Sequence, residues 1–356
     1  MTKKILIVTK SQFGYLVDTL KYCQYLNQEF EITFLSWDFG LPRIEVEGVT
    51  IKYLKRDGSN PKRYLNFLRG IIKEIKTHEY HLIFFVYFPG ASAVKLLTKK
   101  QCYNLDIRTA SVVRESMANW FSDKILKLES RFFKNISVIS EGLAKRLEIK
   151  KYHLLPLGGE SFCKEPKSFK NIHLLYVGTL ENRNIISCVK GFHQFLKENK
   201  LKNTVFTIIG DSPANELEEI NQYISDHQLE KFIHTKGYIH NTMLGPYFSE
   251  ANIGVSFVPM TKYYEHQPPT KTFEYLLSGM PVLATQTYEN SKIVDDTNGV
   301  LIKDTASSFK EGIEKLASKM YNFDSNQIQK NSALFHWKKV IEQNLKYYLD
   351  EISKTG

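Results

Sequence analysis

Cysteine is scarce in this chain, with four in 356 residues, at Cys23, Cys102, Cys163 and Cys188, and no CxxC or CxxH spacing among them. That excludes a disulfide framework and a finger-type zinc site and leaves buried thiols as the reading. Long apolar runs are also missing: none approaches the roughly 18 residues of a membrane span, and Leu82 to Phe88 has only the length of a strand. The N-terminus, Met1 Thr2 Lys3 Lys4 before Ile5 to Val8, has too short an apolar run and no small-residue cleavage site for a signal peptide, so a cytoplasmic location is expected. Internal repeats and low-complexity tracts are absent as well. The net charge is +10 and is not gathered in one tail. With no helix-turn-helix, zinc-finger or RNA-binding aromatic motif, the expected polyanionic partner is an anionic membrane surface, touched transiently, and not nucleic acid.

The length exceeds that at which one core usually keeps growing, so two domains of roughly 150 to 180 residues are expected. Apolar residues at 42% and charged ones at 24% can supply a core to each. In the first half, apolar runs at Lys4 to Val8, Glu31 to Leu35, Thr50 to Leu54, His81 to Tyr87 and Ile136 to Ile139 alternate with helical periodicity at Tyr15 to Leu26, Arg63 to Ile75 and Ser122 to Phe133. A loop-like stretch, Gly158 to Lys170, leads into a second half. There the expected strands are Ile172 to Gly178, Val205 to Gly210, Phe232 to Gly237, Ile253 to Phe257, Pro281 to Thr285 and Gly299 to Ile302, with helices between them. This alternation predicts α/β domains whose parallel sheets are covered on both faces. The expected domains are 1–160 and 161–335, with a basic C-terminal helix, 336–356, able to pack back on the first.

The stretch from Pro268 to Thr285 carries the most chemistry. Pro269 suits the first helical position, Gly279 the residue just past the end, and Pro281 blocks continuation, which predicts a helix of about ten residues running into a buried strand. On a helical wheel Phe273, Leu276, Leu277 and Met280 share an apolar arc, and Thr270, Glu274 and Ser278 share the adjacent one. Free amides and the positive dipole end at Pro269 to Lys271 favour an anion, while Glu274, one turn behind Thr270, can accept hydrogen bonds from a sugar hydroxyl. A nucleotide diphosphate offers both groups.

Further segments join this one: Val138 Ile139 Ser140 Glu141 Gly142 Leu143 Ala144, Leu154 to Gly158, Leu175 to Leu180, Ile209 Gly210 Asp211, and Asn298 Gly299. In this order and spacing the chain resembles retaining glycosyltransferases of family 4, over most of its length and more strongly in the second half. The resemblance implies an α/β GT-B fold of two facing Rossmann-like domains, the first binding the acceptor and the second a nucleoside-diphosphate sugar, with chemistry in the cleft. Family members carry Glu, seven residues, Glu. This chain matches only the second, Glu274, which the resemblance assigns to the ribose. His266 stands at the first position with Glu265 one residue off, and the residue normally there contacts the transferred sugar. Many relatives with a Pro-x-Lys-x-x-Glu-Tyr form also lack it. Thr179 occupies the usual place of a phosphate-binding Arg, and Arg183 lies nearest that of the following Lys, with Lys190 a further candidate. Gly14 stands in the place of a double-glycine loop. Gly237 and Tyr238 end a strand where relatives hold the base through backbone groups. Asp106 and Arg108 stand where relatives often carry a catalytic-face His or Asp, and Arg114 and Glu115 are close by.

Expulsion of a diphosphate calls for preorganised amides and a cation aimed at the growing charge. The catalytic candidates are therefore Asp106, Arg108, Arg183, Lys271 and His266. The donor-binding candidates are Gly14, Gly178, Thr179, Gly210, Tyr238, Pro269, Thr270 and Glu274. No Asp-x-Asp occurs, so neither a metal bridging the diphosphate nor any other cofactor is expected. Each residue also has a plainer reading: a strand-end ion pair for Asp106 and Arg108, a surface salt bridge for Arg183, a solvated carboxylate for Glu274, turn glycines, a surface histidine. Lys62 to Lys73 is basic and amphipathic, fitting either a membrane-surface helix or a Rossmann helix with a solvated basic edge. The expected function is a retaining hexosyl transfer from a nucleoside-diphosphate sugar to a glycan or lipid-linked acceptor in cell-surface polysaccharide synthesis, at the inner face of the membrane. The alternatives are a non-catalytic sugar-nucleotide-binding or partner subunit, or a sugar-nucleotide epimerase or hydrolase.

Overall fold

The structure, a computed structural model, describes residues 2–98, 101–109, 117–198 and 204–354. Arg114 and Glu115 lie outside the described residues. The chain divides into two compact units, Met1–Leu157 with Trp337–Gly356, and Gly158–His336.

The first unit is built on strands β1 (Lys3–Thr9), β2 (Phe30–Trp37), β3 (Val49–Leu54), β4 (Leu82–Val86), β5 (Tyr103–Ile107), β6 (Asn135–Val138) and β7 (His153–Leu154), in the order β3-β2-β1-β4-β5-β6-β7. The second has β8 (Ile172–Val177), β9 (Thr204–Ile209), β10 (Ile233–Thr235), β11 (Ile253–Ser256), β12 (Val282–Thr285) and β13 (Gly299–Ile302), in the order β10-β9-β8-β11-β12-β13. Every pairing is parallel, as expected of apolar runs separated by helices. Each sheet reverses its winding direction once, between β1 and β4 and between β8 and β11. At such a switch point the loops leaving adjacent strands diverge and open a crevice outside their carboxyl ends.

Strand β5 was not among the expected runs, because Asn104 and Asp106 interrupt it with polar side chains. Both are fully buried and belong to a line of hydrogen bonds. Tyr348 donates to Asn104 Oδ1 at 2.7 Å, Asn104 Nδ2 donates to Ser137 Oγ at 2.9 Å, and Ser137 donates to Asp106 Oδ1 at 2.7 Å. Tyr348 comes from the C-terminal segment, which belongs with the first unit: Trp337 is buried edge-on to Tyr22, and Tyr348 stacks on His153 with ring centres 4.0 Å apart. The segment is not one regular helix. A π-turn, Ile341–Lys346, separates Trp337–Val340 from Tyr347–Ile352.

The basic helix Asn60–Thr77 buries Phe67, Ile71 and Ile75 in the first unit, so its apolar face is occupied by the core and its basic edge is solvated. Among the described residues no helix is long and apolar enough to cross a membrane.

Burial pushes the Asp106 carboxyl up to about 6, with Asp18 adding to the rise and Arg108 and Ser137 opposing it. An unfolded aspartate titrates near ~3.9, so between about pH 4 and 6 the folded chain holds a proton that the unfolded chain has lost. The contribution of Asp106 to stability therefore falls as pH rises through that window, by at most about 1.4 kcal/mol per pH unit, and is flat above it. Urea unfolding of the parent and of Asp106→Asn at several pH values checks this: the difference between them should change across the window, and a constant difference would refute it.

Candidate functional site

The helix Thr270–Leu277 has eight residues and not ten, and Pro269 stands at its N-cap, one position earlier than expected. With ψ at 120° Pro269 is still extended, and it brings no side-chain oxygen to the first-turn amides. The C-terminal end follows the expected logic. Gly279, at φ +74°, donates to Leu276 O and Met280 donates to Tyr275 O, the paired bonds of a Schellman cap. A Cβ on Gly279 would meet Ser325 Oγ at 2.1 Å.

Tyr275 fixes where the helix begins in space. Its ring lies against Gly254 of β11, where a Cβ would come within 2.2 Å of it, and its hydroxyl accepts the Val177 N–H at the end of β8 at 2.9 Å. A buried polar cluster secures the other side. Thr272 Oγ1 meets Ser256 Oγ at 2.7 Å and donates to Asn290 Oδ1 at 3.0 Å, while Asn290 Nδ2 donates to Thr285 O and Val258 N donates to Thr285 Oγ1. The sequence reading missed Thr272, Ser256, Thr285 and Asn290. A threonine inside the apolar turn of the helix was the signal, but its partners lie 16 or more residues away in the chain.

The N-terminal end of this helix thus stands at the switch point between β8 and β11, and charged groups gather there. Lys271 Nζ is 2.5 Å from Glu274 Oε2, and it lies 5.4 Å from the ring centre of Phe162. Glu274 is buried, so the solvated-carboxylate reading does not hold. Arg183, on the loop leaving β8, places its guanidinium 4.5 Å from the ring centre of Tyr264, on the loop leaving β11. It therefore bridges the two diverging loops. His266 ends a short 3-10 turn with its ring edge-on to Tyr288, 5.2 Å between centres. The neighbouring Glu265 carboxylate accepts the Tyr288 N–H at 2.8 Å. Lys190 lies 5.7 Å from the ring centre of Tyr223, a contact between two helices.

Gly178, Gly210 and Gly237 line the carboxyl ends of β8, β9 and β10. Gly178 donates to Ile209 O and Gly210 donates to Gly237 O, so the three loops leave the sheet in register. Gly210 must be glycine, since a Cβ there would fall 1.8 Å from Gly178 O. Thr179 is exposed, donates to Asp211 O at 3.3 Å and receives the Glu181 N–H. Tyr238 is 73% exposed, against the packed-aromatic reading. Thr270 and Pro269 are half-buried. Among the described residues no three His, Cys, Asp or Glu side chains are grouped to hold a metal ion.

The remaining candidates lie in the first unit. Arg108 Nε donates to Asp18 Oδ2 at 2.7 Å and stands 3.8 Å from Asp106 Oδ2, and its Nη1 donates to Leu155 O at 2.6 Å. Both Asp106 and Arg108 are buried in this network. The strand-end ion pair is what the fold contains, and direct contact of Asp106 with an acceptor hydroxyl is not supported by its position. Gly14, at φ +90°, turns the loop after β1 against Ile44.

Residues 171–319 match the family model described as Glycosyl transferases group 1. No curated protein sequence matches the chain. Among solved structures, it is similar to sucrose-phosphate synthase from Thermosynechococcus elongatus, at 14% identity and a TM-score of 0.79 over 99% of this chain and 100% of that one. It is also similar to HepE of Anabaena in complex with UDP and glucose, at 12% identity and a TM-score of 0.75 over 98% and 100%. The apo lipopolysaccharide outer core galactosyltransferase WaaB aligns at 12% identity and a TM-score of 0.69 over 95% and 98%. At these identities the solved structures speak for the fold, which is GT-B, and the family match identifies residues 171–319, in the unit that carries the helix Thr270–Leu277, as a group 1 glycosyltransferase domain.

Proposed function

We propose that this protein transfers a sugar, with retention and without a metal, from a nucleoside-diphosphate sugar to a glycan or lipid-linked acceptor in cell-surface polysaccharide synthesis. The observation that carries the donor assignment is the uncapped helix end at the β8/β11 switch point, flanked by Arg183, Lys271 and the buried Glu274. Amides and cations there suit a diphosphate, and the Glu274 carboxylate suits a ribose hydroxyl. HepE has been captured with UDP-glucose, which supports a nucleotide-sugar donor for a chain of the same fold. WaaB, a galactosyltransferase of the lipopolysaccharide outer core, supports the cell-surface role.

In the proposed reaction the bond from the anomeric carbon to the diphosphate oxygen breaks and a bond to the acceptor oxygen forms on the same face. The acceptor proton passes to the departing phosphate oxygen. Arg183, Lys271 and the helix amides carry the growing negative charge, the part a metal ion plays in enzymes with an Asp-x-Asp motif. Gly178, Thr179 and Gly210 line the approach of the nucleotide, and Tyr238 offers an exposed ring beside the base. The absence of any membrane-length helix among the described residues and the solvated basic edge of Asn60–Thr77 support a cytoplasmic protein that touches an anionic membrane peripherally.

A second reading has its own observation. At the place of the sugar-facing carboxylate stands His266, while the carboxylate of Glu265 is engaged by the Tyr288 N–H. A subunit that binds sugar nucleotide without transferring the sugar would look the same there.

A thermal-shift screen of common nucleoside-diphosphate sugars should find one that stabilises the chain, by about 2.7 kcal/mol at a hundredfold excess over its dissociation constant. No stabilising donor would overturn the donor site. Glu274→Ala should weaken that donor by about tenfold or more, the worth of a hydrogen bond to a charged group; unchanged affinity in calorimetry would contradict the ribose role. Arg183→Ala should lower kcat by about a hundredfold with a smaller effect on donor affinity, since its charge matters most as the diphosphate departs. Donor binding with neither transfer to lipid-linked acceptors nor hydrolysis would favour the non-catalytic reading.

A further inference from the structure

At the carboxyl ends of β2 and β3, in the first unit, aromatic rings and arginines form a second cluster. Trp37 ends β2, and its ring centre lies 4.8 Å from Phe67, 5.8 Å from Tyr64 and 6.2 Å from Phe39. Arg56, just past β3, stacks its guanidinium 3.9 Å from the ring centre of Phe39 and 5.3 Å from that of Trp37. Among the described residues no carboxylate pairs with Arg56. Arg43, close by, differs: it is bound to Asp38 at 2.6 Å and lies over Tyr53. Two donors in this cluster, Arg56 Nε and Trp37 Nε1, are buried from solvent and have no hydrogen-bond partner.

Buried donors without acceptors carry a desolvation penalty, and a guanidinium held by ring faces with no counter-ion is stabilised only in part. A ligand relieves both if it brings acceptor oxygens and a negative charge. The cluster is also set in advance. Gln12 Oε1 receives the N–H groups of Phe39 and Leu41 at 2.8 and 3.2 Å, and the Tyr64 hydroxyl donates to Pro89 O. It lies on the crevice side of the first sheet, beyond strand ends next to the β1/β4 switch point. Phe39, 43% exposed, keeps ring surface open for the C–H face of a sugar.

We propose that this cluster is the acceptor site and that the acceptor is an acidic sugar, a saccharide bearing a carboxylate or a phosphate that Arg56 engages through its planar fork. The word acceptor rests on the transferase reading above; the affinity for acidic sugars does not. The acid group replaces the missing counter-ion, its oxygens and the ring hydroxyls take the N–H groups of Arg56 and Trp37, and the sugar ring lies on the aromatic faces.

Calorimetric titration of the full chain with methyl glucuronide, glucose 1-phosphate and methyl glucoside, at low salt, tests this. At least one acidic sugar should bind about tenfold or more tighter than the neutral glucoside, the worth of a hydrogen bond to a charged group. The tighter of the two identifies the acid group. Arg56→Gln should abolish the preference while leaving the thermal shift given by a nucleoside-diphosphate sugar unchanged, which also reports that the variant is folded. Trp37→Phe, which keeps an aromatic ring and removes one orphaned N–H, should weaken the acidic sugar severalfold. Equal binding of all three sugars, binding of none, or a preference that survives Arg56→Gln would overturn the proposal. Acidic sugars that bind when no nucleotide sugar does would leave this site standing and remove the donor site.

Discussion

The ring of Tyr275 lies on Gly254 while its hydroxyl takes the Val177 N–H, so one side chain ties the helix Thr270–Leu277 to β11 and to the end of β8. The two strands flank the switch point, and the helix is thereby held with its uncapped end over the place where their loops part. Hydrophobic contact alone would fix the distance of the helix from the sheet but allow it to slide along its axis. The hydroxyl contact, with the Thr272, Ser256 and Asn290 cluster on the other side, sets the axial position. A diphosphate bound at a helix end is sensitive to such sliding, because the amides act only within the first turn.

Much of this was legible in the chain, for reasons that differ between elements. Parallel strands buried on both faces leave apolar runs such as Ile253 to Phe257, and these are visible without knowing any partner. The stop at Gly279 was visible because a left-handed residue after a helix is a local requirement. Strand β5 was hidden, because Asn104 and Asp106 are buried by partners supplied from Ser137 and Tyr348, far along the chain. The π-turn at Ile341–Lys346 was hidden too, since a helical periodicity does not report a single widened turn.

The site divides along the same line. Glu274, Lys271 and the glycines could be picked out by motif and spacing, and the fold brings Gly178, Gly210 and the Thr270 helix to one end of one sheet. Motif favoured Arg183 over Lys190, and in the fold Arg183 reaches across to the loop that leaves β11 while Lys190 contacts Tyr223 of the next helix. Motif could not show that Asp106 and Arg108 neutralise one another within the first unit, with Asp18 as the closer partner. Arg108 is hydrogen-bonded to Asp18 Oδ2 and Leu155 O, and a buried charge so engaged is costly to redirect toward a ligand.

Lys271 presents the remaining electrostatic problem, and its solution bears on how the donor is held. A lysine in the first turn of a helix opposes the dipole, and here the opposing charge is offset by Glu274, three residues on and buried. The pair is neutral overall, so without ligand the helix end carries only its amides and the Arg183 charge. On the proposed donor binding, a diphosphate at that end would give the ammonium a second anion, and a ribose hydroxyl would give the carboxylate a new donor. Each partner of the internal ion pair can then bond to the ligand while staying close to the other. On the same proposal, the pair keeps a buried carboxylate paired while the site is empty and offers one group to the diphosphate and one to the ribose when it is filled, which would account for Lys and Glu at this spacing on so short a helix.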